Sequence, residues 1–134
     1  MAGEEWTGGC MCGAVRFRAQ GSPIRVEICH CRTCRKATGS AFAVFVLFAG
    51  DQVVIESGET IRFVSSETVI RHSCGGCGSP VFDTFTHSDN IDFHLGALDQ
   101  AERLVPQREV WTARRLPWVS RAPGTTCHRF GNPD

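Results

Sequence analysis

Seven of the eight cysteines in this 134-residue chain fall into three short clusters. These are Cys10-Met11-Cys12, the segment from Cys29 to Cys34, which contains three cysteines, and Cys74-Gly75-Gly76-Cys77. Seven thiols divide naturally into one group of four and one group of three. A zinc ion with four protein ligands is usually structural, whereas three protein ligands leave a position for water or substrate. The pattern therefore predicts one metal ion that stabilises the fold and a second that is available for chemistry.

The group of four is predicted from residue spacing. Cys10 and Cys12 can present both sulfurs on one side of an extended segment, because alternate residues of a strand point the same way. Two glycines separate Cys74 from Cys77, and we expect them to allow a tight turn through conformations that are costly for other residues. Cys10, Cys12, Cys74 and Cys77 are therefore predicted to bind a structural zinc, which would contribute on the order of 10 kcal/mol to folding.

The remaining sulfurs of Cys29, Cys31 and Cys34 form the predicted group of three, with no evident fourth protein ligand. His30 lies between two of them and is expected to face the other way, in a packed or surface position. The alternative is a purely structural ion completed by Cys127 or by a distant histidine. Otherwise Cys127 is expected to be a buried or partly buried free thiol.

A disulfide framework is the other interpretation of so many cysteines. The first five residues lack the basic and apolar start of a secretory signal, so we expect a cytoplasmic protein whose thiols stay reduced. The longest apolar run, Phe42 to Gly50, is too short to cross a membrane as a helix. No membrane partner is therefore expected.

Charge argues against nucleic-acid binding. Basic and acidic side chains are equal at 14 each, and two zinc ions with seven thiolates would bring the net charge to about −3. A strong nucleic-acid binder usually has a basic surplus. Nearly all the basic residues are arginines, which hold carboxylates well, so the composition is compatible with a small acidic ligand.

Alternation of apolar and polar residues predicts a mainly β fold of antiparallel sheets with little helix. The predicted strands are Val15–Arg18, Ile24–Ile28, Phe42–Phe48, Gln52–Glu56, Thr60–Val64, Thr68–His72, Val81–Phe85, Ile91–Leu95 and Arg108–Ala113. Of these, Phe42–Phe48 is predicted to be central and buried on both faces. Short helices are expected after Cys31 and near Leu98–Glu102. Without a repeat or linker, residues 1–134 are expected to form one domain.

Three motifs together carry a family resemblance. They are Gly8–Phe17, Cys29–Lys36 and Cys74–Pro80, followed by the weaker landmarks Gly96–Asp99 and Pro117-Trp118. As a set, over roughly residues 7–119, they resemble the signature of the glutathione-dependent formaldehyde-activating enzyme family, which includes the centromere protein V domain. One departure is the segment Pro106–Trp111, which has no histidine where many members of the family carry one.

The resemblance implies a β-tent fold related to the Mss4-like zinc domains, with two zinc ions per chain. It assigns Cys10, Cys12, Cys74 and Cys77 to the structural ion and Cys29, Cys31 and Cys34 to the catalytic ion. The reaction that it implies adds the thiol of glutathione to formaldehyde, giving S-hydroxymethylglutathione, and the reverse direction is a carbon–sulfur lyase reaction. The implied partners are a small thiol and a small carbonyl compound; a homodimer is left open.

Basic residues beside the group of three are candidates for substrate binding. Arg32, Arg35 and Lys36 could offset its negative charge or bind substrate carboxylates, or they could simply form a solvated basic face. Three thiolates weaken a zinc ion as an electrophile, so binding of a substrate thiol is favoured over polarisation of an aldehyde.

Two other functional classes are alternatives to the enzyme. Methionine sulfoxide reductases of the B type combine a β-rich fold with zinc, but they need two Cys-x-x-Cys pairs for one closed site, and only one such pair lies outside the group of three here. A non-enzymatic zinc module of Mss4-like fold that binds a protein partner is the remaining alternative.

Overall fold

Two β-sheets make up most of the structure, a computed structural model that describes residues 4–131. Their strands are β1 (Glu5–Gly9), β2 (Arg16–Gln20), β3 (Arg25–Cys29), β4 (Ala43–Phe48), β5 (Val53–Ser57), β6 (Thr60–Val64), β7 (Val69–Cys74), β8 (Pro80–Phe85), β9 (Ile91–His94), β10 (Arg108–Val110) and β11 (Thr126–Cys127). Helix α1 spans Arg32–Thr38, and 3-10 turns cover Gly50–Gln52, Leu95–Ala97, Ala101–Arg103 and Thr112–Arg114. The prediction of a mainly β fold with little helix is confirmed.

The small sheet has the order β1-β2-β5, and the large sheet has the order β11-β10-β3-β4-β9-β8-β7-β6. Neighbouring strands are antiparallel except at one edge, where β10 runs parallel to both β3 and β11. A parallel pairing requires a crossover of about a dozen residues or more. Residues 111–125, which include the 3-10 turn Thr112–Arg114, supply that connection between β10 and β11.

Aromatic side chains pack the two sheets together. Phe17 of the small sheet stacks on Phe93 of the large sheet with ring centroids 3.9 Å apart, and Phe48 meets the edge of Phe93 at 6.1 Å. All three rings are fully buried, and such burial is the main favourable contribution to folding. Strand β4 lies inside the large sheet and is buried at five of its six positions, which confirms it as the predicted central strand.

Helix α1 begins directly after β3 and confirms the helix expected after Cys31. The Cys31 sulfur accepts a hydrogen bond from the backbone N–H of Cys34 at 3.3 Å and so caps the first turn. The helix ends at Gly39, whose φ of 67° is the left-handed conformation that glycine adopts readily. Among residues 4–131 no helix is long and apolar enough to cross a bilayer.

The prediction that the strand starting at Arg108 continues to Ala113 is wrong. Strand β10 stops at Val110, because Trp111 adopts a left-handed backbone conformation (φ 57°, ψ 38°) and a 3-10 turn follows. The helix expected near Leu98–Glu102 is only the 3-10 turn Ala101–Arg103. Strands β1 and β11 were not predicted, since β1 ends in two glycines and β11 has two residues.

Two acidic side chains lie side by side on neighbouring strands of the large sheet. Asp83 of β8 pairs in register with Asp92 of β9. Burial raises the pKa of Asp83 to about 6, although the Arg71 guanidinium opposes the shift. Burial also raises the pKa of Asp92 to about 8, and the charges of Glu27 and Asp83 add to this effect. These carboxyl groups therefore take up protons more readily in the folded chain than in the unfolded one.

Replacing Asp92 by asparagine should stabilise the protein at high pH. Because the pKa of Asp92 is raised on folding, its favourable contribution is complete below about pH 4 and is lost as the pH rises through about 8. Thermal melts of Asp92→Asn should show a melting temperature above wild type at pH 8.5, by about 3 °C or more, and a smaller difference at pH 5.

Asp99→Asn is the matched control, because the hydrogen bond from Arg16 lowers the pKa of Asp99. This variant should not gain stability at pH 8.5. An Asp92→Asn protein that is no more stable at pH 8.5 than at pH 5, relative to wild type, would contradict the raised pKa.

Candidate functional site: two cysteine clusters

Four cysteines from two distant parts of the chain meet in one cluster. The sulfurs of Cys10, Cys12, Cys74 and Cys77 all lie within 4.8 Å of one another; we call this set the four-cysteine cluster. Cys10 directly follows β1 of the small sheet, and Cys74 is the last residue of β7 in the large sheet. The cluster therefore joins the two sheets at one end.

Backbone N–H groups point at these sulfurs. The N–H of Val15 donates to the Cys10 sulfur at 3.2 Å, and the N–H of Gly76 donates to the Cys74 sulfur at 3.3 Å. Hydrogen bonds of this kind favour the charged form of a thiol, and the bond from Val15 is the main reason that the pKa of Cys10 is lowered. These two hydrogen bonds thus favour the thiolate, which is the form that binds metal.

Ser79 connects the two loops of the four-cysteine cluster. Its hydroxyl accepts a hydrogen bond from the backbone N–H of Met11 at 3.0 Å and lies 3.0 Å from the Cys77 sulfur. This contact lowers the pKa of Cys77 to about 5. The serine therefore supports both the meeting of the loops and the charge of one sulfur.

The glycines that turn these loops are not the ones that the spacing indicated. Gly75 and Gly76 have ordinary backbone conformations, so the prediction that they adopt costly ones is wrong. Instead Gly13 (φ 84°) and Gly78 (φ 78°) occupy the left-handed region, one in each loop just after its second cysteine. At each of these glycines the chain reverses direction, directly after the second cysteine of its loop.

The distances within the four-cysteine cluster fit a tetrahedral metal site. Four sulfurs at about 2.3 Å from a zinc ion lie about 3.8 Å from one another. Cys10 and Cys12 have their sulfurs 3.6 Å apart, and the sulfurs of Cys12 and Cys74 are 3.8 Å apart. The cluster could therefore hold a metal ion, and its donors are consistent with zinc.

Cys29, Cys31 and Cys34 form a second cluster, the three-cysteine cluster, with all sulfurs within 4.8 Å of one another. Cys29 ends β3, Cys31 caps α1 and Cys34 lies in its first turn. The Cys29 thiol donates to the Cys31 sulfur at 3.3 Å, and together with Cys34 it lowers the pKa of Cys31. Thiolates are also the ligands that zinc prefers, so this cluster could hold a metal ion as well.

Within residues 4–131, no other histidine, cysteine or acidic side chain belongs to the three-cysteine cluster. Cys127, which the sequence offered as a fourth ligand, lies in β11, with its sulfur 3.6 Å from the Arg115 guanidinium. It is exposed, so the expectation of a buried or partly buried thiol is wrong. Strand β11 is at the edge of the large sheet, which leaves this position open to solvent. His30 is packed, as expected, and is only 1% exposed.

A cavity of about 580 Å³ opens beside the three-cysteine cluster. It lies between the start of α1, the turn from β6 to β7 and the 3-10 turn after β10, and it is lined by Cys31, Arg32, Thr33, Ser65, Ser66, Thr68, Val69, Arg71, Trp111 and Arg114. Of the three basic residues that the sequence singled out, only Arg32 lines it. Arg71 and Arg114 were missed, because strand pairing and the turn after β10, not proximity in sequence, bring them to this cavity.

Two polar side chains hold the Arg71 guanidinium in place. Its Nε donates to Ser65 Oγ at 3.0 Å, and its Nη1 lies 3.4 Å from Asp83 Oδ2. Its side chain is only 16% exposed. A guanidinium fixed in this way loses little conformational freedom when it binds a carboxylate.

Trp111 forms another wall of the cavity through an unusual backbone conformation. In residues 4–131 it is the only residue other than glycine with a positive φ, a state that costs about 1–3 kcal/mol for such side chains. The backbone N–H of Trp111 donates to the carbonyl of Phe130 at 2.9 Å. The two rings pack edge to face, with their centroids 5.8 Å apart. Contacts with the end of the chain thus hold the indole against the three-cysteine cluster.

A second cavity of about 590 Å³ lies beside the four-cysteine cluster, close to the end of α1. Its charged lining residues, Arg16 and Asp99, are paired with each other at 2.7 Å. Burial lowers the pKa of His94, also in its lining, to about 4, so this imidazole is neutral. The cavity that contains Cys31 is thus the better candidate for an acidic substrate.

Comparison with known proteins agrees with this geometry. The family model described as glutathione-dependent formaldehyde-activating enzyme matches residues 5–114, which include every cysteine of both clusters. The chain belongs to this family. The resemblance inferred from the cysteine motifs is therefore confirmed.

Two curated relatives support the family assignment. The first, named as an uncharacterized lyase of Schizosaccharomyces pombe, is 29% identical over 89 residues, which is 66% of this chain and 64% of the relative. The second, from Halomonas elongata, has the provisional name glutathione-dependent formaldehyde-activating enzyme. It is 35% identical over 86 residues, 57% of this chain and 55% of the relative. The chain thus spans less than two thirds of the length of each relative, and little more than half of the second.

A solved structure shows the same fold. The crystal structure of a Rhodobacter sphaeroides protein superposes with a TM-score of 0.58 at 18% sequence identity. The match covers 70% of this chain and 88% of that one.

The two clusters should respond differently to the loss of one cysteine. Cys77→Ser removes a ligand from the site that joins the sheets, and we expect most of the chain to unfold, since structural zinc contributes on the order of 10 kcal/mol in small domains. Cys31→Ser should stay folded and retain one zinc ion per chain instead of two. Circular dichroism and metal analysis of the purified variants test both expectations.

Cys127→Ser is the control, because this thiol lies outside both clusters. It should retain both ions and the wild-type melting temperature. A folded Cys77→Ser protein beside an unfolded Cys31→Ser protein would reverse the assignment of the two sites.

Proposed function

We propose that this chain catalyses the reversible addition of a small thiol, glutathione or a similar compound, to formaldehyde or a related small carbonyl compound. In the forward direction the thiol sulfur forms a bond to the carbonyl carbon, and the C=O π electrons move to the oxygen. The thiol proton is lost, the oxygen gains a proton, and the product is an S-hydroxymethyl adduct. The reverse reaction breaks the same carbon–sulfur bond. Membership of the family and the names of the two relatives support this proposal.

The single observation that carries the proposal is the position of the three-cysteine cluster at a basic cavity. Cys31 is partly exposed and lines the cavity, whereas Cys29 and Cys34 are buried behind it. The four-cysteine cluster also adjoins a cavity, but the charged side chains there pair with each other, whereas the cavity at Cys31 is lined by three arginines and no acidic residue. We therefore assign Cys29, Cys31 and Cys34 to a catalytic zinc, and Cys10, Cys12, Cys74 and Cys77 to a structural zinc.

When bound at the three-cysteine cluster, a zinc ion would supply positive charge that favours the deprotonated form of a substrate thiol. The chain itself would orient the rest of the substrate. Arg32, Arg71 and Arg114 surround the cavity and can bind carboxylates through charge-assisted hydrogen bonds. Trp111 supplies a large apolar wall of this cavity. The substrate that fits best is a small thiol with at least one carboxylate.

Catalysis is tested by exchange spectroscopy. Exchange between glutathione, formaldehyde and their adduct, measured by NMR, should be faster with zinc-loaded protein than without protein. Cys31→Ser should reduce the catalysed rate to background while keeping the fold. Unaccelerated exchange by a protein that carries both zinc ions would exclude glutathione and formaldehyde as the substrates and would favour the zinc module that binds a protein partner.

Arg71→Ala should weaken binding of a thiol with carboxylates. One charge-assisted hydrogen bond contributes about 1.5–3 kcal/mol, so KM for glutathione should rise about tenfold or more, with a smaller change in kcat. KM for 2-mercaptoethanol, which has no carboxylate, should change much less. The comparison separates carboxylate recognition from a general disturbance of the site.

Arg35→Ala is the matched control. This arginine is on the same helix as Arg32 but does not line the cavity with Cys31. It should leave both KM values unchanged. An equal loss of activity toward both thiols in Arg71→Ala would contradict the proposed role of Arg71.

A further inference from the structure

Glu109 is a carboxylate with no exposed surface, and each of its oxygens receives two hydrogen bonds. Oε1 accepts from His30 Nε2 at 2.8 Å and from Arg115 Nη2 at 3.0 Å. Oε2 accepts from the backbone N–H of Ala122 and from Thr125 Oγ1, both at 2.8 Å. Burial alone would raise the pKa of Glu109, but these donors lower it to about 2, so the side chain is ionised.

One of these donors lies in the chain segment that carries the three-cysteine cluster. His30 stands between Cys29 and Cys31, and its backbone N–H donates to the carbonyl of Val110 at 3.1 Å. Its side chain reaches Glu109 on the same strand, β10. Both the backbone and the side chain of the residue between two sulfurs are therefore fixed to β10.

The other three donors come from the end of the chain. Arg115, Ala122 and Thr125 all follow residue 114, where the match to the family model stops. Strand β11 then pairs with β10, and the N–H of His128 donates to the Glu109 carbonyl at 2.9 Å. Residues 115–128, which follow the matched region, thus surround the side chain and the carbonyl of one buried residue.

Burying a charged carboxylate is unfavourable by several kcal/mol unless donors surround it, and an apolar residue of similar size would often stabilise a fold as well or better. The segments that Glu109 connects indicate the role of its charge. Glu109 connects the segment between Cys29 and Cys31 to the segment 115–125, and none of its four hydrogen-bond donors belongs to the four-cysteine cluster. It is placed to hold one metal site and not the other.

We propose that Glu109 is a positioning residue that, through His30, keeps Cys29 and Cys31 at metal-binding distance, and that residues 115–125 keep Glu109 in place. The proposal rests on the function proposed above, because it concerns the same three-cysteine cluster. Groups that orient metal ligands from outside typically change metal affinity 10- to 100-fold when they are replaced.

The test is a titration of the metal-free protein with cobalt, followed by visible absorption. Cys31→Ser, in which only the four-cysteine cluster is complete, supplies the reference spectrum for that site. In Glu109→Gln, affinity at the three-cysteine cluster should fall 10- to 100-fold, while affinity at the four-cysteine cluster and the circular dichroism spectrum should match wild type. Thr125→Val, which removes one donor at similar volume, should lower the same affinity by a smaller factor. Asp99→Asn, which removes an exposed paired carboxylate, should change neither site.

A double-mutant cycle tests whether Glu109 acts through His30. His30→Phe keeps a ring and removes the hydrogen bond, so the combined variant His30→Phe/Glu109→Gln should lose less affinity than the product of the two single losses. If Glu109→Gln does not fold, the result for Thr125→Val decides. Equal loss of affinity at both clusters, or no loss at the three-cysteine cluster, would overturn the proposal. The titration needs no substrate, so it tests this proposal separately from catalysis. A wild-type protein that binds cobalt at both clusters but does not accelerate the exchange would refute only the proposed function.

Discussion

The meeting of two short loops from residues 10–12 and 74–77 is the constraint on which the rest of the structure depends. It brings the end of β1, in the small sheet, to the end of β7, in the large sheet, with the sulfurs of Cys12 and Cys74 3.8 Å apart. Aromatic packing around Phe93 holds the sheets together elsewhere. Four thiolates would repel one another, so a positive charge among them would stabilise this arrangement.

The second cluster has a different place in the architecture. Its three cysteines come from one segment, the end of β3 and the start of α1, and so they do not cross-link distant parts of the chain. Removing them would leave the sheets connected. This separation fits the proposed division, in which the four-cysteine cluster stabilises the fold and the three-cysteine cluster faces a cavity lined by three arginines.

How far the sequence predicts this protein depends on the distance between the residues involved. Both cysteine clusters and α1 could be predicted, because the cysteines of each motif lie only two or three positions apart, although Cys12 lies in a turn and not in the expected extended segment. Most strands were also evident from alternation. Arg71 and Glu109 could not be found in this way, since Arg71 lies 40 positions from Cys31 and Glu109 lies 79 positions from His30. Strand register brings them to the site, and register depends on the whole sheet.

The contacts of residues 115–125 with Glu109 affect where the domain boundary of such a protein should be placed. A version trimmed to the region shared with relatives would end at residue 114 and would lack Arg115, Ala122 and Thr125. Its buried carboxylate would then face His30 with three donors missing, in a site newly open to water. Homology alone would thus mark as dispensable a stretch that neutralises a charge in the protein interior.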